Sequence, residues 1–274
     1  MSIIKTELPK VLGNLSKKYG HGIKKNFPEN SLSTKWTVAP NSYGYIVESV
    51  KFLHEKLGMK YLNFNRVMEQ NVIDTPEQLW ELIQQFQKLF RYMIEKNTEL
   101  YISPFDYSII SSVISRQTLL ETEPTWSRCG FGKMPALSLD GNIYPCFRLI
   151  PGHNHMKKTI SQGTVFTSLD ENLTDLILLN ENAQVNKLKV DEKCKSCSIF
   201  SSCPHCAADC VNNDLTLSKT TSVCNFHRVS IYFARLYWKN IKKLYPAKYC
   251  NIQIKWTEDD DNNLLTLILK EIMI

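Results

Sequence analysis

The sequence predicts an α/β protein whose second half is rich in cysteine. The first 128 residues alternate short β-forming runs with amphipathic helical patterns, whereas all nine cysteines lie after residue 128. Such alternation with short connections is typical of parallel strands joined by right-handed helical crossovers. We therefore predict an α/β unit over residues 1–128, a cysteine-rich unit over residues 129–250 and a C-terminal tail over residues 251–274.

Three β-α repeats are predicted in the first unit. The strands fall at Lys35–Ala39, Met59–Asn65 and Glu99–Ser103. The helices fall at Tyr43–Leu57, from Thr75 to about Lys96, and near Tyr107–Arg116. Three repeats are either a fragment of a doubly wound sheet or about half of a (β/α) barrel. Because either fragment exposes sheet edges, we expect poor solubility.

Local signals support two of the predicted elements. Thr75 is a good N-cap for the second helix, and Gln78 stands three residues later, as a capping box requires. The dipeptide Asp140-Gly141 lies between β-forming residues and predicts a hairpin over Pro135–Cys146. A further amphipathic helix is predicted from about Phe226 to Tyr245.

Charge and hydropathy exclude several classes of protein. The net charge is +6, and the lysines are scattered rather than gathered on one basic face, so no nucleic-acid partner is expected. No apolar run reaches the roughly 18 residues of a membrane helix. The N-terminus lacks the apolar segment of a secretory signal. We therefore expect a cytoplasmic protein without a membrane partner and without a disulfide framework.

The most informative stretch runs from Cys194 to Cys210, where five cysteines fall within seventeen residues. A Cys-x2-Cys pair supplies two thiolates at little loop-closure cost. Structural zinc and iron–sulfur clusters both accept four cysteines. Eight cysteines lie between Cys129 and Cys224, enough for two complete sites. Cys250 lies beyond them and is expected to be buried as a small apolar residue.

This spacing resembles the SPASM domain, the C-terminal auxiliary-cluster domain of radical SAM enzymes that modify peptides and proteins. The resemblance covers about residues 129–245. The matching positions are Cys129, then Gly141-x4-Cys146, then Cys194-x2-Cys197-x5-Cys203, and Cys224. The chain departs from the family pattern after Cys203, because Cys206 follows at x2 rather than x3 and Cys210 is additional.

The resemblance implies two auxiliary [4Fe–4S] clusters. For the distal cluster it implies the ligands Cys194, Cys197, Cys203 and Cys224. For the proximal cluster it implies Cys129, Cys146 and Cys206, with Cys210 as a candidate fourth ligand. If Cys210 does not reach the cluster, one iron stays open. His205 and His227 are expected to donate hydrogen bonds to sulfur or to pack beside it.

The β-α repeats resemble the later strands of the radical SAM barrel. The implied fold is a partial, TIM-like (β/α) half-barrel followed by a small α+β SPASM domain with a β-hairpin and helices. In that barrel the C-terminal strand ends hold substrate and S-adenosylmethionine. The residues expected at those ends are Asn41, Asn63, Asn65, Glu69 and Asp106, each of which has the alternative role of a helix cap or turn residue.

No cysteine precedes Cys129, so the chain has no Cys-x3-Cys-x2-Cys loop for the cluster that binds S-adenosylmethionine. The resemblance therefore implies the C-terminal part of an enzyme that modifies a ribosomally made peptide or protein through a 5′-deoxyadenosyl radical. S-adenosylmethionine would be used only if an N-terminal half-barrel is supplied, for example by a partner chain. Two alternatives stay open: a non-catalytic iron–sulfur or electron-transfer module completed by a partner chain, and a structural zinc protein.

Overall fold

The computed structural model describes residues 33–67, 74–96, 100–106, 136–144, 147, 150, 164, 197–199, 202–203, 221–254 and 256–273. The helix predicted near Tyr107–Arg116 lies outside these residues, as does the predicted unit boundary at residue 128. The described chain is a mixed α/β structure with a parallel sheet and helices, which confirms the α/β part of the predicted fold.

A three-stranded parallel sheet organises the first part of the molecule. Its strands lie in the order β1 (Ser33–Val38), β2 (Tyr61–Arg66) and β3 (Tyr101–Ile102). All three lie where the sequence predicts strands, although β3 is shorter than its predicted range. The side chains of β2 alternate strictly between exposed and buried. One face of the sheet is therefore packed and the other is open.

The connection from β1 to β2 has three helical segments where the sequence predicts one helix. A 3-10 segment at Pro40–Tyr45 leads into α1 (Ile46–Lys51), and a π-helical turn at Phe52–Lys56 follows. Apolar spacing places the buried side correctly, because Ile46 and Val50 are buried. That spacing is too coarse to separate helices of different pitch.

The second helix, α2 (Pro76–Glu95), confirms its predicted capping box. The Thr75 hydroxyl accepts a hydrogen bond from the Gln78 amide at 3.3 Å, and the Gln78 side-chain oxygen accepts one from the Thr75 amide at 2.9 Å. The apolar side of α2 lies in the core and comprises Leu79, Leu82, Phe86, Leu89 and Met93.

The predicted hairpin is present as β4 (Ala136–Leu137) and β5 (Ile143–Tyr144), which pair antiparallel. Gly141 has φ 83°, a left-handed conformation that glycine adopts without a Cβ clash. The Ser138 amide donates to the Asn142 carbonyl at 2.9 Å and closes the turn.

The last part of the described chain contains α3 (Thr221–Leu244) and α4 (Glu258–Lys270). α3 begins earlier than its predicted start at Phe226, and α4 forms in the segment predicted only as a tail. The acidic run from Glu258 makes the first turn of α4, where carboxylates favour the positive end of the helix dipole. No helix in the described part of the chain is both long and apolar enough to cross a membrane.

One hydrophobic core joins α3 to the sheet. The Phe226 ring on α3 lies 6.4 Å from Phe64 on β2 and 5.9 Å from Phe86 on α2, measured between ring centroids. The Trp238 indole, also on α3, donates a hydrogen bond to the Phe105 carbonyl just after β3 at 2.7 Å. The helix from the predicted second unit therefore packs directly on the sheet of the first.

Candidate functional site

The sheet has an open polar face on the side away from α2 and α3. We use the name open face for the exposed side chains of Lys35, Thr37, Tyr61, Asn63, Asn65 and Tyr101. Register places Lys35 beside Asn63, and Thr37 beside Asn65. Parallel sheets are ordinarily covered on both faces, so an exposed polar face on one is a candidate binding surface.

Two tyrosines form the aromatic end of the open face. The rings of Tyr61 and Tyr101 lie 5.9 Å apart between centroids. The Tyr101 hydroxyl donates to Asp106 Oδ2 at 2.7 Å. Partial burial and this acidic partner raise the pKa of Tyr101 to about 12, so its hydroxyl keeps its proton at neutral pH. The open face therefore combines an aromatic end with amide, hydroxyl and ammonium groups nearer the carboxyl ends of the strands.

A buried triad of Tyr43, Arg66 and Asp74 lies at the carboxyl ends of β1 and β2. Arg66 Nε donates to the Tyr43 hydroxyl at 3.0 Å, and the Tyr43 hydroxyl donates to Asp74 Oδ1 at 3.0 Å. Arg66 Nη2 forms an ion pair with the same Oδ1 at 3.3 Å. The Arg66 and Asp74 side chains are 1% and 0% exposed. The triad is therefore a buried contact that holds the carboxyl ends of β1 and β2 in place.

Burial dominates the ionisation of the triad. Desolvation raises the pKa of Asp74 above its usual range, although the Arg66 guanidinium acts in the opposite direction. Burial also raises the pKa of Tyr43, so Tyr43 stays a neutral hydrogen-bond donor. Asp74 Oδ2 is buried without a hydrogen-bond partner. Both partners of the Asp74 carboxylate, Tyr43 and Arg66, therefore contact the same oxygen, Oδ1.

The cysteine turn, formed by Cys197, Ser198, Ile199, Ser202 and Cys203, is attached to the same core. The backbone amides of Ser202 and Cys203 both donate to the Ile199 carbonyl, at 3.0 and 2.8 Å. The Ile199 side chain is 2% exposed and belongs to the core, and Cys197 and Cys203 pack against that core. Two of the eight predicted ligands are therefore held on a short, anchored turn.

Cys224 lies in the first turns of α3, where it is half-buried. His227 follows three residues later, so the two lie on the same side of the helix. Cys197, Cys203 and Cys224 form no disulfide with one another, and cysteine thiolates are the usual ligands of iron–sulfur clusters. The donor chemistry of these three residues fits a [4Fe–4S] cluster.

The other predicted ligands lie outside the described residues: Cys129, Cys146, Cys194, Cys206 and Cys210. His205 also lies outside them. Among the described residues, no three side chains of His, Cys, Asp or Glu are grouped to hold a metal ion. The division of eight cysteines between two clusters therefore stays a prediction.

The residues predicted at the strand ends have different positions. Asn41 is exposed in the 3-10 segment after β1, Asn65 is the last open-face residue of β2, and Asp106 follows β3. Asn63 is the third residue of β2, so it lies along the strand and not beyond its end. Glu69 lies outside the described residues.

Cys250 is exposed, so its predicted burial is wrong. It lies in the turn between α3 and α4, where most of the neighbouring residues are also exposed. The general preference of cysteine for burial does not predict whether a particular turn position is exposed.

Sequence reasoning did not find the triad. Arg66 occupies a position of β2 where the alternation calls for a buried side chain, and a charged residue at such a position signals a buried partner. Asp74 precedes the Thr75 cap, which hides its role among ordinary turn residues.

No protein-family model matches the chain, and no curated protein sequence matches it either. Among solved structures, the mixed α/β fold resembles part of a radical SAM enzyme. The similar structures include those of anSMEcpe, a radical SAM/SPASM sulfatase-maturating enzyme. The structure of anSMEcpe with bound AdoMet and the Cp18Cys peptide has a TM-score of 0.51 and 17% identity, and the match covers 86% of this chain and 62% of that chain.

Hexahistidine-tagged anSMEcpe with bound AdoMet has a TM-score of 0.51 and 18% identity, and the match covers 95% of this chain and 61% of that chain. The chain thus spans about three fifths of the length of these structures. At this level of identity the likeness is one of fold.

Proposed function

We propose that the chain is the C-terminal portion of a radical SAM/SPASM enzyme that modifies a ribosomally made peptide or protein, and that it binds two auxiliary [4Fe–4S] clusters. In this proposal the sheet and its helices are part of a (β/α) half-barrel, and the segment from residue 129 is the SPASM domain. The observation that carries the proposal is the attachment of the cysteine turn to the core that also carries the parallel sheet.

The cysteine turn suits a ligand-bearing role. The Ile199 carbonyl accepts hydrogen bonds from the amides of both Ser202 and Cys203, and the buried Ile199 side chain anchors the turn in the core. Ligands held by the fold lose little conformational entropy when they bind a cluster. In the proposed enzyme Cys194, Cys197, Cys203 and Cys224 hold the distal cluster. Cys129, Cys146 and Cys206 hold the proximal one, with Cys210 as the candidate fourth ligand.

The open face suits the interior of such a barrel. Its helices lie on the opposite face, and its exposed residues include the amides of Asn63 and Asn65 and the ammonium group of Lys35. These groups can hydrogen-bond the backbone of an extended peptide or the polar groups of S-adenosylmethionine. We assign Asn41, Asn63, Asn65 and Glu69 to this interior, and the open face to substrate binding.

In this scheme the residues of this chain bind the clusters and orient the peptide substrate. The buried triad holds the carboxyl ends of β1 and β2 in place, the open face positions the peptide, and the cysteines hold the clusters. Bound clusters supply one-electron redox chemistry. Cleavage of S-adenosylmethionine is assigned to an N-terminal half-barrel with the Cys-x3-Cys-x2-Cys loop, because this sequence has no cysteine before Cys129. Within the described residues β1 pairs only with β2, which supports addition of a strand at its free edge.

Anaerobic reconstitution with iron and sulfide tests the proposal. The parent chain is expected to take up about eight iron ions, the content of two [4Fe–4S] clusters. Cys197→Ser and Cys203→Ser are each expected to lose up to about four of them. Cys250→Ser is the matched control, because Cys250 is exposed and outside the motif, and it should keep the full iron content. Bound zinc, or fewer than about four irons in the parent, would overturn the proposal.

The DNA directly upstream separates the enzyme from a non-catalytic module. A neighbouring reading frame that encodes Cys-x3-Cys-x2-Cys would supply the missing half-barrel, and co-expression of the two chains should then give S-adenosylmethionine cleavage. A reconstituted chain with two clusters and no such frame would instead favour an electron-transfer module.

A further inference from the structure

Three buried hydroxyls in the described residues have no hydrogen-bond partner: Thr34 Oγ1, Tyr144 Oη and Ser202 Oγ. A buried hydroxyl ordinarily finds a partner, and each exception calls for an explanation. Thr34 lies on β1, and along the sequence it is far from every cysteine, the first of which is Cys129. The other two lie on segments that carry predicted cluster ligands.

Ser202 belongs to the cysteine turn and directly precedes Cys203. The residue is 2% exposed, so its hydroxyl is out of reach of bulk solvent. Its amide is engaged with the Ile199 carbonyl at 3.0 Å, which fixes the backbone and leaves only the hydroxyl to rotate. The hydroxyl is therefore an unused donor within the segment that bears two predicted thiolate ligands.

Tyr144 occupies the equivalent situation on the hairpin. It is the last residue of β5, it is 0% exposed, and it stands two positions before Cys146. A fully buried phenol with an unpaired hydroxyl, two positions before a predicted ligand of the other cluster, repeats the pattern of Ser202.

We infer that the Ser202 and Tyr144 hydroxyls donate hydrogen bonds to cluster sulfurs, Ser202 at the distal cluster and Tyr144 at the proximal one. Cluster and thiolate sulfurs accept such bonds, and these bonds are among the terms that set the reduction potential. A donor favours the more negative, reduced state, so each hydroxyl raises the potential of its own cluster. The inference rests on the proposed function, because it requires the clusters.

Redox titration of the reconstituted chain with dithionite, followed by electron paramagnetic resonance, tests the inference. Ser202→Ala should keep the parent iron content and shift the midpoint of one cluster to a more negative potential. At a fixed solution potential the ratio of reduced to oxidised cluster should fall by about fivefold, the equivalent of one net hydrogen bond. Tyr144→Phe should shift the other cluster by a similar amount.

Two further variants separate this role from a merely structural one. Ser202→Thr keeps a hydroxyl and should retain the parent potential. Thr34→Val removes the third unpaired hydroxyl and should leave both potentials unchanged. In the iron-free chain Ser202→Ala should not lower the midpoint of urea unfolding, because the hydroxyl has no protein partner to lose.

The outcomes distinguish two failures. A parent chain that binds no iron overturns the proposed function and this inference together. Full iron content with unchanged potentials in both Ser202→Ala and Tyr144→Phe overturns the inference alone. An iron-free Ser202→Ala chain that unfolds at lower urea than its parent would also overturn it for Ser202, because its hydroxyl would then have a protein partner.

Discussion

At the scale of single residues, the buried triad shows how a charge is tolerated inside the core. Arg66 has an ion-pair partner in Asp74 and hydrogen-bonds the Tyr43 hydroxyl and the Val67 carbonyl. Removing one partner of such a pair leaves the other charge buried and uncompensated, which costs more than the intact pair contributes. The triad is therefore more sensitive to single substitutions than an exposed ion pair.

Arg66→Met is expected to lower the free energy of unfolding by roughly 3–5 kcal/mol, because it leaves the Asp74 carboxylate without its cation. Urea unfolding followed by circular dichroism measures the change. Lys35→Met on the open face is the matched control and should change stability by less than about 0.5 kcal/mol. Equal effects of the two variants would contradict the buried pairing.

The triad also predicts a pH dependence. Burial raises the pKa of Asp74, so the folded chain keeps a proton at a pH where the unfolded chain has lost it. The contribution of Asp74 to stability therefore falls as the pH rises from about 3.9 through its folded pKa. Asp74→Asn lacks this titration. The unfolding free energy of the parent minus that of Asp74→Asn should fall as the pH rises across that window. A constant difference would refute the raised pKa of Asp74.

At the scale of elements, the sequence correctly predicts the features that depend only on residues close together in the chain. The Thr75 capping box and the Asp140-Gly141 turn depend on neighbouring residues, and both are present as predicted. The pitch of the segments before β2 and the existence of α4 were not predicted, because tertiary packing decides them. Pairing across the sheet and the partners of Arg66 join distant positions, so no local pattern encodes them.

Gly141 gives a test of the hairpin. Gly141→Ala should destabilise the turn by roughly 1–2 kcal/mol, because alanine disfavours the left-handed conformation at φ 83°. Faster hydrogen exchange of the Ser138 amide, which bonds Asn142, would report the loss. Gly141→Asn should have a smaller effect, since asparagine visits that conformation. Equal exchange rates in the two variants would argue against strain as the cause.

α4 gives a second test at this scale. Leu264 is 0% exposed in the contact with α3, whereas Leu269 on the same helix is 40% exposed. Leu264→Ala should lower the unfolding free energy by roughly 2–5 kcal/mol, and Leu269→Ala by less than about 1 kcal/mol. Urea unfolding measures both. Similar values for the two leucines would show that α4 does not pack on α3 through this side.

At the scale of the whole molecule, the core unites segments far apart in the sequence. Phe64, Phe86 and Phe226 come from β2, α2 and α3 and meet in one cluster. A shared core makes its parts depend on each other for burial, so the sheet and α3 should unfold as one unit. Among the described residues β1 pairs only with β2, and this edge together with the open face makes association with another chain the expected behaviour of this molecule.

Phe226→Ala tests this unity. It should lower the free energy of unfolding by roughly 3–5 kcal/mol. Circular dichroism and tryptophan fluorescence should give coincident transitions in both the parent and the variant. Separate transitions, with only the α3 signal shifted, would mean that the sheet and α3 are independent units.

The hydrogen bond from Trp238 to Phe105 joins residues 133 positions apart and has a consequence for biosynthesis. The first β-α repeats leave the ribosome well before α3 is made, yet α3 supplies part of the core that covers their sheet. Until then those repeats expose apolar surface and strand edges, the state in which nascent chains aggregate or recruit chaperones. We therefore expect the sheet to complete its folding only after α3 has been synthesised.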